Sequence, residues 1–225
     1  MNAATQQPPE STRGQLGQGI YSLAELRLYL TFHGTPRNGE LALYWLQHAL
    51  NPVGHRPQEA DYSFADLISL LVVRALVARD VPLHRIQEAE AYGRKLYGVD
   101  RPFVTHDLAT DGRMVFYYGD NPAQVESANR GGGQQAGREL LSAYLHDVRY
   151  RDGRASTWEP ADQVVLDPRV QFGAPVVAGT RVLTESVVEI ADASGIEAAS
   201  DWLDIPVVAA RSATRFEHKL AALRG

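Results

Sequence analysis

The chain has 225 residues, enough for one large domain or two to three small ones, and its 44% hydrophobic and 22% charged residues are typical of a soluble globular protein. It has no cysteine, which excludes disulfides, thiolate metal sites and a cysteine nucleophile. Its 27 acids outnumber its 22 bases and the whole excess lies in residues 103–225, so a non-specific nucleic-acid coat is excluded and any DNA contact must be local.

The N-terminal third shows helix signals after a polar start. Residues 1–19 are rich in Gln, Pro and Gly without apolar periodicity, which predicts a disordered tail. Ser22 with Glu25, and Ser63 with Asp66, have capping-box spacing and predict helix starts, and Gly98 predicts a helix end. Between these helices we expect a turn over 35–39 with Asn38 as N-cap, and a second helix over about 40–50. The side chains expected to face inward include Tyr44, Trp45, Ile86 and Leu96.

The middle of the chain changes period. Phe103-Val104 and Met114–Tyr118 predict two strands, and a helix is expected near 136–146 after the glycine run 131–133. Asp152-Gly153 has the chemistry of a hairpin turn. Residues 103–158 are therefore predicted to form a strand-containing region, with dimerisation as its expected role.

The last part of the chain, residues 159–225, reads as a strand followed by three helices. Thr184 is the predicted N-cap of the first helix and Gly195 its end. The second helix is expected over about 197–203, and the third from Asp204, with Pro206 in its first turn, to about 222. The predicted fold class is α+β, mainly helical, in which a winged helix-turn-helix (20–102), the middle region and a trihelical unit follow the tail.

The order of motifs in residues 20–102 carries a family resemblance. The runs Tyr21–Leu26, Leu41–Trp45, Asn51-Pro52 and Tyr62–Leu67 follow one another as helix, second helix, wing and long helix. This stretch resembles the MerR-like winged helix-turn-helix. The resemblance implies DNA binding in a major groove. The polar candidates for phosphate or base contact are Arg37, Asn38, Gln47, His48, His55 and Arg56.

The run 172–182 raises the question of a phosphate-binding loop. It lacks the Gly-Lys-Ser/Thr ending that such a loop needs, so Gly179, Thr180 and Arg181 are better explained as a tight turn, with Arg181 either holding the turn or presented to a partner. The pattern Gly-x-Pro-Val-Val-x-Gly-Thr-Arg resembles the signature of domain-of-unknown-function family 433, a small module of VapB-like antitoxins. That resemblance covers about 160–222 and implies a PIN-like ribonuclease toxin as partner.

The final predicted helix carries bases at intervals of four. Arg211, Arg215 and Lys219 fall on one face, where they would contact DNA phosphates or an acidic partner, or form a solvated surface. The apolar positions expected to point elsewhere are Ile205, Val208, Phe216 and Leu220.

These patterns predict a bacterial, cytoplasmic antitoxin. No catalytic constellation, metal-ligand spacing or cofactor motif is evident, so we expect no enzyme activity. The chain, as a homodimer, would silence its toxin and act as transcriptional repressor of its own operator DNA. The alternative is a MerR-like ligand-responsive regulator without a toxin, in which Phe116-Tyr117-Tyr118 would line a ligand pocket. Neither prediction involves a membrane.

Overall fold

A computed structural model describes residues 19–50, 61–105, 108–110, 113–118, 125–127, 139–140, 145 and 147–224. The fold is α+β, as predicted. The helices are α1 (Leu23–Phe32), α2 (Pro36–Glu40), α3 (Ala42–His48), α4 (Phe64–Val77), α5 (Leu83–Tyr97), α6 (Thr184–Ser194), α7 (Ile196–Leu203) and α8 (Val207–Arg224). The strands are β1 (Leu108–Thr110), β2 (Val115–Tyr118), β3 (Val125–Ser127), β4 (Glu139–Leu140), β5 (Val148–Arg151), β6 (Arg154–Ala161), β7 (Val164–Leu166) and β8 (Pro175–Val177). The predicted tail lies outside the described residues, except for Gly19.

Two capping boxes start helices where the sequence predicts them. Before α1, the Ser22 hydroxyl accepts from the Glu25 N–H (3.2 Å) and the Glu25 carboxylate accepts from the Ser22 N–H (2.7 Å). Ser63 and Asp66 repeat this arrangement at α4. Helix α4 carries apolar side chains on nearly all of its faces, and most of its residues are buried. This helix therefore forms the centre of the core.

The segment after α1 differs from the prediction. Residues 36–40 form the short helix α2 rather than a turn, with Pro36 as its first residue and Thr35 as its N-cap. Asn38 is therefore not an N-cap: its Oδ1 accepts from the Thr35 N–H (2.7 Å) and hydroxyl (2.8 Å). The second predicted helix is limited to α3, since Leu41 ends α2 and begins α3.

The end of α5 confirms one prediction and contradicts two. Gly98 closes the helix in the left-handed conformation at φ 65°, which a residue without Cβ adopts without strain. Leu96, predicted to face inward, is 45% exposed because it lies in the last turn, beyond the packed part of α5. Phe103 and Val104 lie in a buried 3₁₀ helix, Pro102–Val104, instead of a strand.

Two antiparallel sheets follow. The first has the strand order β3-β2-β1-β4, and Glu139 and Leu140 pair with β1 where a helix was predicted. The cross-strand pairing outweighs the helical spacing there. Of the predicted glycine run and helix, only residues 139, 140 and 145 lie within the described residues. The second sheet has the order β5-β6-β7-β8, and its first hairpin turns at Asp152-Gly153 as predicted.

The three C-terminal helices enclose a small core of their own. Its buried members are Val177, Val187, Ala199, Ile205, Ala209, Ala210 and Ala213. Thr184 is the first helical residue of α6 and Leu183 the N-cap, one position earlier than predicted. The Thr184 side chain is buried and contacts the Pro175 carbonyl and the Glu217 carboxyl, so it is occupied in packing instead of capping.

The main core includes residues from both ends of the chain. The rings of Phe32 on α1 and Phe216 on α8 lie 5.0 Å apart, and Tyr29 packs edge-on against Trp158 of β6 at 5.7 Å. The Tyr21 hydroxyl donates to the Gly173 carbonyl (2.9 Å). The predicted boundary between residues 158 and 159 falls inside β6, so segments predicted as separate units contribute to one core.

Candidate nucleic-acid interface

The outer face of α3 is polar and its inner face is apolar. Trp45 and Leu46 are buried, whereas Gln47 and His48 are exposed. Tyr44 is 48% exposed and its ring contacts the His48 ring at a tilt of 41°, with centroids 4.4 Å apart. The prediction of a core position therefore holds for Trp45 and is wrong for Tyr44. The exposed set Tyr44, Gln47 and His48 is called the α3 face below.

The two predicted DNA-contacting residues on α2, Arg37 and Asn38, differ in exposure. Arg37 is exposed in the first turn of the helix. Asn38 is half-buried, and because its side-chain carbonyl already accepts both donors of Thr35, it supports the α1–α2 connection. His55 and Arg56, the predicted wing residues, lie outside the described residues.

An ion cluster fastens the chain just after α3. Arg101 donates to Asp66 Oδ1 (2.6 Å) and to the Leu50 carbonyl (3.0 Å). Arg94 donates to both oxygens of Glu90, at 2.6 and 2.8 Å, and Arg101 lies 3.8 Å from the same carboxylate. Burial raises the pKa of Glu90, and hydrogen bonding and charge from Arg94 oppose that rise. This cluster holds the end of α3 against α4 and α5.

The ion pairs of this cluster were not predicted from the sequence. The one local signal was the spacing of four between Glu90 and Arg94, which places them on one face of α5. Asp66 and Arg101 are 35 positions apart, so their pairing depends on the packing of α4 against the 3₁₀ helix.

The basic residues of α8 do share one exposed face. Arg211, Arg215 and Lys219 are all exposed, and the Lys219 ammonium lies 3.8 Å from the centroid of the Phe32 ring, a cation–π contact with α1. Val208, predicted to point away from this face, is 59% exposed beside it, because in the first turn of α8 no other element packs over it.

The α3 face and the α8 bases remain two separate sets. Both helices pack against α1, so they have a common support. Within the described residues no hydrogen bond or ion pair joins Gln47 or His48 to Arg211, Arg215 or Lys219.

Gly179, Thr180 and Arg181 form a tight turn, as predicted. Gly179 has φ 76° and is exposed. The Thr180 hydroxyl donates to the Val177 carbonyl (2.9 Å) and accepts from the Val182 N–H (3.0 Å). Arg181 takes part through its backbone, whose carbonyl accepts from Gln171, while its side chain is exposed. The turn is thus held by Thr180, and the guanidinium is presented to solvent.

Two polar contacts fasten α8 and β6 to the rest of the molecule. Glu217 on α8 bonds to the Thr184 hydroxyl, and burial raises the pKa of its carboxyl. His33 Nε2 lies 2.7 Å from the Pro160 carbonyl, and because a carbonyl oxygen only accepts, the ring N–H donates this bond. Burial lowers the pKa of His33.

The described residues contain no group of three or more His, Cys, Asp or Glu side chains placed to hold a metal ion. Nor does any helix in this part of the chain combine the length and apolar character needed to span a bilayer.

The comparison with known proteins supports the fold. No protein-family model and no curated protein matches the chain. The crystal structure of Rv2018 from Mycobacterium tuberculosis is similar with a TM-score of 0.59 at 22% sequence identity, over 86% of this chain and 96% of that one. At this identity the likeness concerns the fold alone, and it extends over both chains almost end to end.

Proposed function

We propose that the chain is an antitoxin with two linked activities. It binds and silences a PIN-like ribonuclease toxin, and as a homodimer it binds operator DNA and represses its own operon. The proposed neutralisation of the toxin is supported by the antitoxin-like run Gly173–Val182, which contains a tight turn with an exposed Arg181. The DNA activity is supported by the MerR-like order of motifs in residues 20–102.

The observation that best supports DNA binding is the α3 face. A helix enters the major groove when its outer side chains are polar and its inner side is fixed. Gln47 and His48 meet the first condition, because an amide and an imidazole both hydrogen-bond to base edges. Buried Trp45 and the ion cluster at Leu50 meet the second. Arg37 on α2 adds a cation for a phosphate contact.

A pair of double variants tests which helix reads DNA. Alanine at Gln47 and His48 should weaken binding to the native upstream DNA by about 30-fold or more, since each of the two lost base contacts costs at least about 1 kcal/mol. Alanine at Arg211 and Arg215 is the matched comparison on α8. Fluorescence anisotropy with a scrambled duplex as control measures both, and unchanged affinity in both variants would rule out this assignment of readers.

Salt dependence provides an independent check on the same complex. If about six phosphates are contacted, the wild-type affinity should fall roughly 10³-fold between 50 and 200 mM salt. Equal affinity for native and scrambled duplexes would refute the repressor activity. Neutralisation of the toxin would then be tested alone.

Neutralisation of the toxin is tested with the product of the neighbouring gene, if that gene encodes a small nuclease-like protein. The chain should protect RNA from this nuclease and co-purify with it. Arg181→Ala should weaken the complex by about tenfold or more, because a lost hydrogen bond to a charged group costs on the order of 1.5–3 kcal/mol. Arg154→Ala, an exposed arginine on β6, is the control, and an equal effect of both substitutions would contradict a role for Arg181.

The alternative proposal, a ligand-responsive regulator without a toxin, placed a pocket at Phe116–Tyr118. Of these residues Tyr117 is fully buried and its hydroxyl donates to the Ala89 carbonyl (3.0 Å). Its ring and hydroxyl are thus committed to packing against α5, which favours the antitoxin proposal.

A further inference from the structure

The corner between α7 and α8 exposes a group of large apolar side chains. Trp202 on α7 is 69% exposed, and Val207 and Val208 at the start of α8 are 40% and 59% exposed. Three large apolar side chains exposed within seven positions of the chain are costly to leave in water, and exposed apolar groups of this kind mark interaction sites. These three residues are called the Trp202 patch below.

The charges around the patch differ between the two helices. On α7, Glu197 and Asp201 are exposed and four positions apart, so they lie on one face. On α8, the exposed Arg211 and Arg215 are likewise four apart. Within the described residues no ion pair engages any of these four side chains. The patch therefore has an acidic border on α7 and a basic border on α8.

We infer that the Trp202 patch is the contact surface for a second copy of this chain, related by a two-fold axis. In such an interface a residue i contacts j of the partner, and j contacts i in return. A surface with one acidic and one basic border is complementary to itself under this rotation, because the α7 border of each copy meets the α8 border of the other. The apolar patches then face each other in the centre, as in other protein interfaces.

The same charges argue against DNA at this corner. Glu197 and Asp201 would face the phosphate backbone, which repels carboxylates. The inferred interface also replaces the middle region, residues 103–158, as the expected site of dimerisation. It deepens the homodimer part of the proposed function and rests on that part alone, so it is tested without DNA or toxin.

The first test is the mass of the purified full-length chain, measured by sedimentation across a range of concentrations. The wild type should form dimers, and Trp202→Ala should weaken dimerisation by about 30-fold or more, since a central tryptophan typically contributes over 2 kcal/mol. Phe172→Ala is the matched control, because Phe172 is 61% exposed but lies away from α7 and α8 in sequence, in the 3₁₀ helix Gln171–Gly173 before β8. It should leave the mass unchanged.

The second test uses the reciprocity of the contact. One variant carries Glu197→Lys and Asp201→Lys, and the other carries Arg211→Glu and Arg215→Glu. Each alone should be monomeric, because like charges then meet at both borders. Mixed in equal amounts they should form heterodimers, since lysines of the first copy meet glutamates of the second and the unchanged borders still match. Circular dichroism confirms that each variant is folded.

Any of the following outcomes would overturn the inferred two-fold interface. A wild-type monomer at roughly 100 µM, a concentration well above the dissociation constant of a micromolar interface, would exclude the dimer. Dimerisation of Trp202→Ala with wild-type affinity would place the interface elsewhere, and failure of the mixed variants to associate would exclude the two-fold pairing.

Discussion

Phe216→Ala is expected to lower the free energy of unfolding of the whole chain by about 3–5 kcal/mol, the usual cost of deleting a buried aromatic ring. Phe216 is 2% exposed on α8, yet its ring lies 5.0 Å from that of Phe32 on α1. The cavity would therefore open in the main core, between the two ends of the chain, so the helices of residues 20–102 should lose stability together with α8.

Denaturant unfolding followed by tryptophan fluorescence and by amide exchange of α1 measures this effect. Arg224→Ala is the control on the same helix, and because Arg224 is exposed at the end of α8 it should change stability by less than about 0.5 kcal/mol. Two separate transitions, with the exchange of α1 unchanged in Phe216→Ala, would show that the N-terminal helices are stable without α8.

Arg101→Ala is expected to cost a comparable amount, about 3–5 kcal/mol, because removing one partner from a buried ion cluster leaves the others unpaired. The Asp66 carboxylate would lose its 2.6 Å donor and the Leu50 carbonyl its 3.0 Å donor. Since this bond holds the end of α3, the substitution should also weaken DNA binding by the α3 face.

Thermal unfolding and DNA affinity measured on the same preparations separate these effects. Arg85→Ala removes an exposed helical pair with Glu88 and should cost well under about 1 kcal/mol. Arg101→Lys keeps the charge but cannot donate from a planar fork, so it should restore only part of the stability. Full stability in Arg101→Ala would mean that the cluster does not anchor α3.

Local signals in the sequence predicted helix ends well. The Ser22 and Ser63 capping boxes, Gly98 and the Asp152-Gly153 turn all lie where they were expected, because each depends on residues within three or four positions. The short helix α2 was missed because Pro and Gly at 36 and 39 indicate a turn as readily as a first helical turn.

Features that depend on distant partners could not be predicted. Glu139 and Leu140 have helical neighbours in sequence, but they pair with β1, about 30 positions away. Exposure depends on the same distant packing. Tyr44 and Leu96 are predicted to face inward and Val208 to point away from the basic face, but all three side chains are exposed. For the candidate site, the residue types were visible in sequence, but the separation of the α3 face from the α8 bases was not.

The contact between Phe32 and Phe216 also bears on how the protein is made. The two residues are 184 positions apart in the chain, so at roughly 5–20 residues per second a ribosome needs on the order of 10–40 s to add the second after the first. During that interval the nascent chain holds α1 without the helix that covers Phe32. A chain that is interrupted before α8 lacks the ring that packs on Phe32, and we expect it to be cut by proteases faster than the full chain.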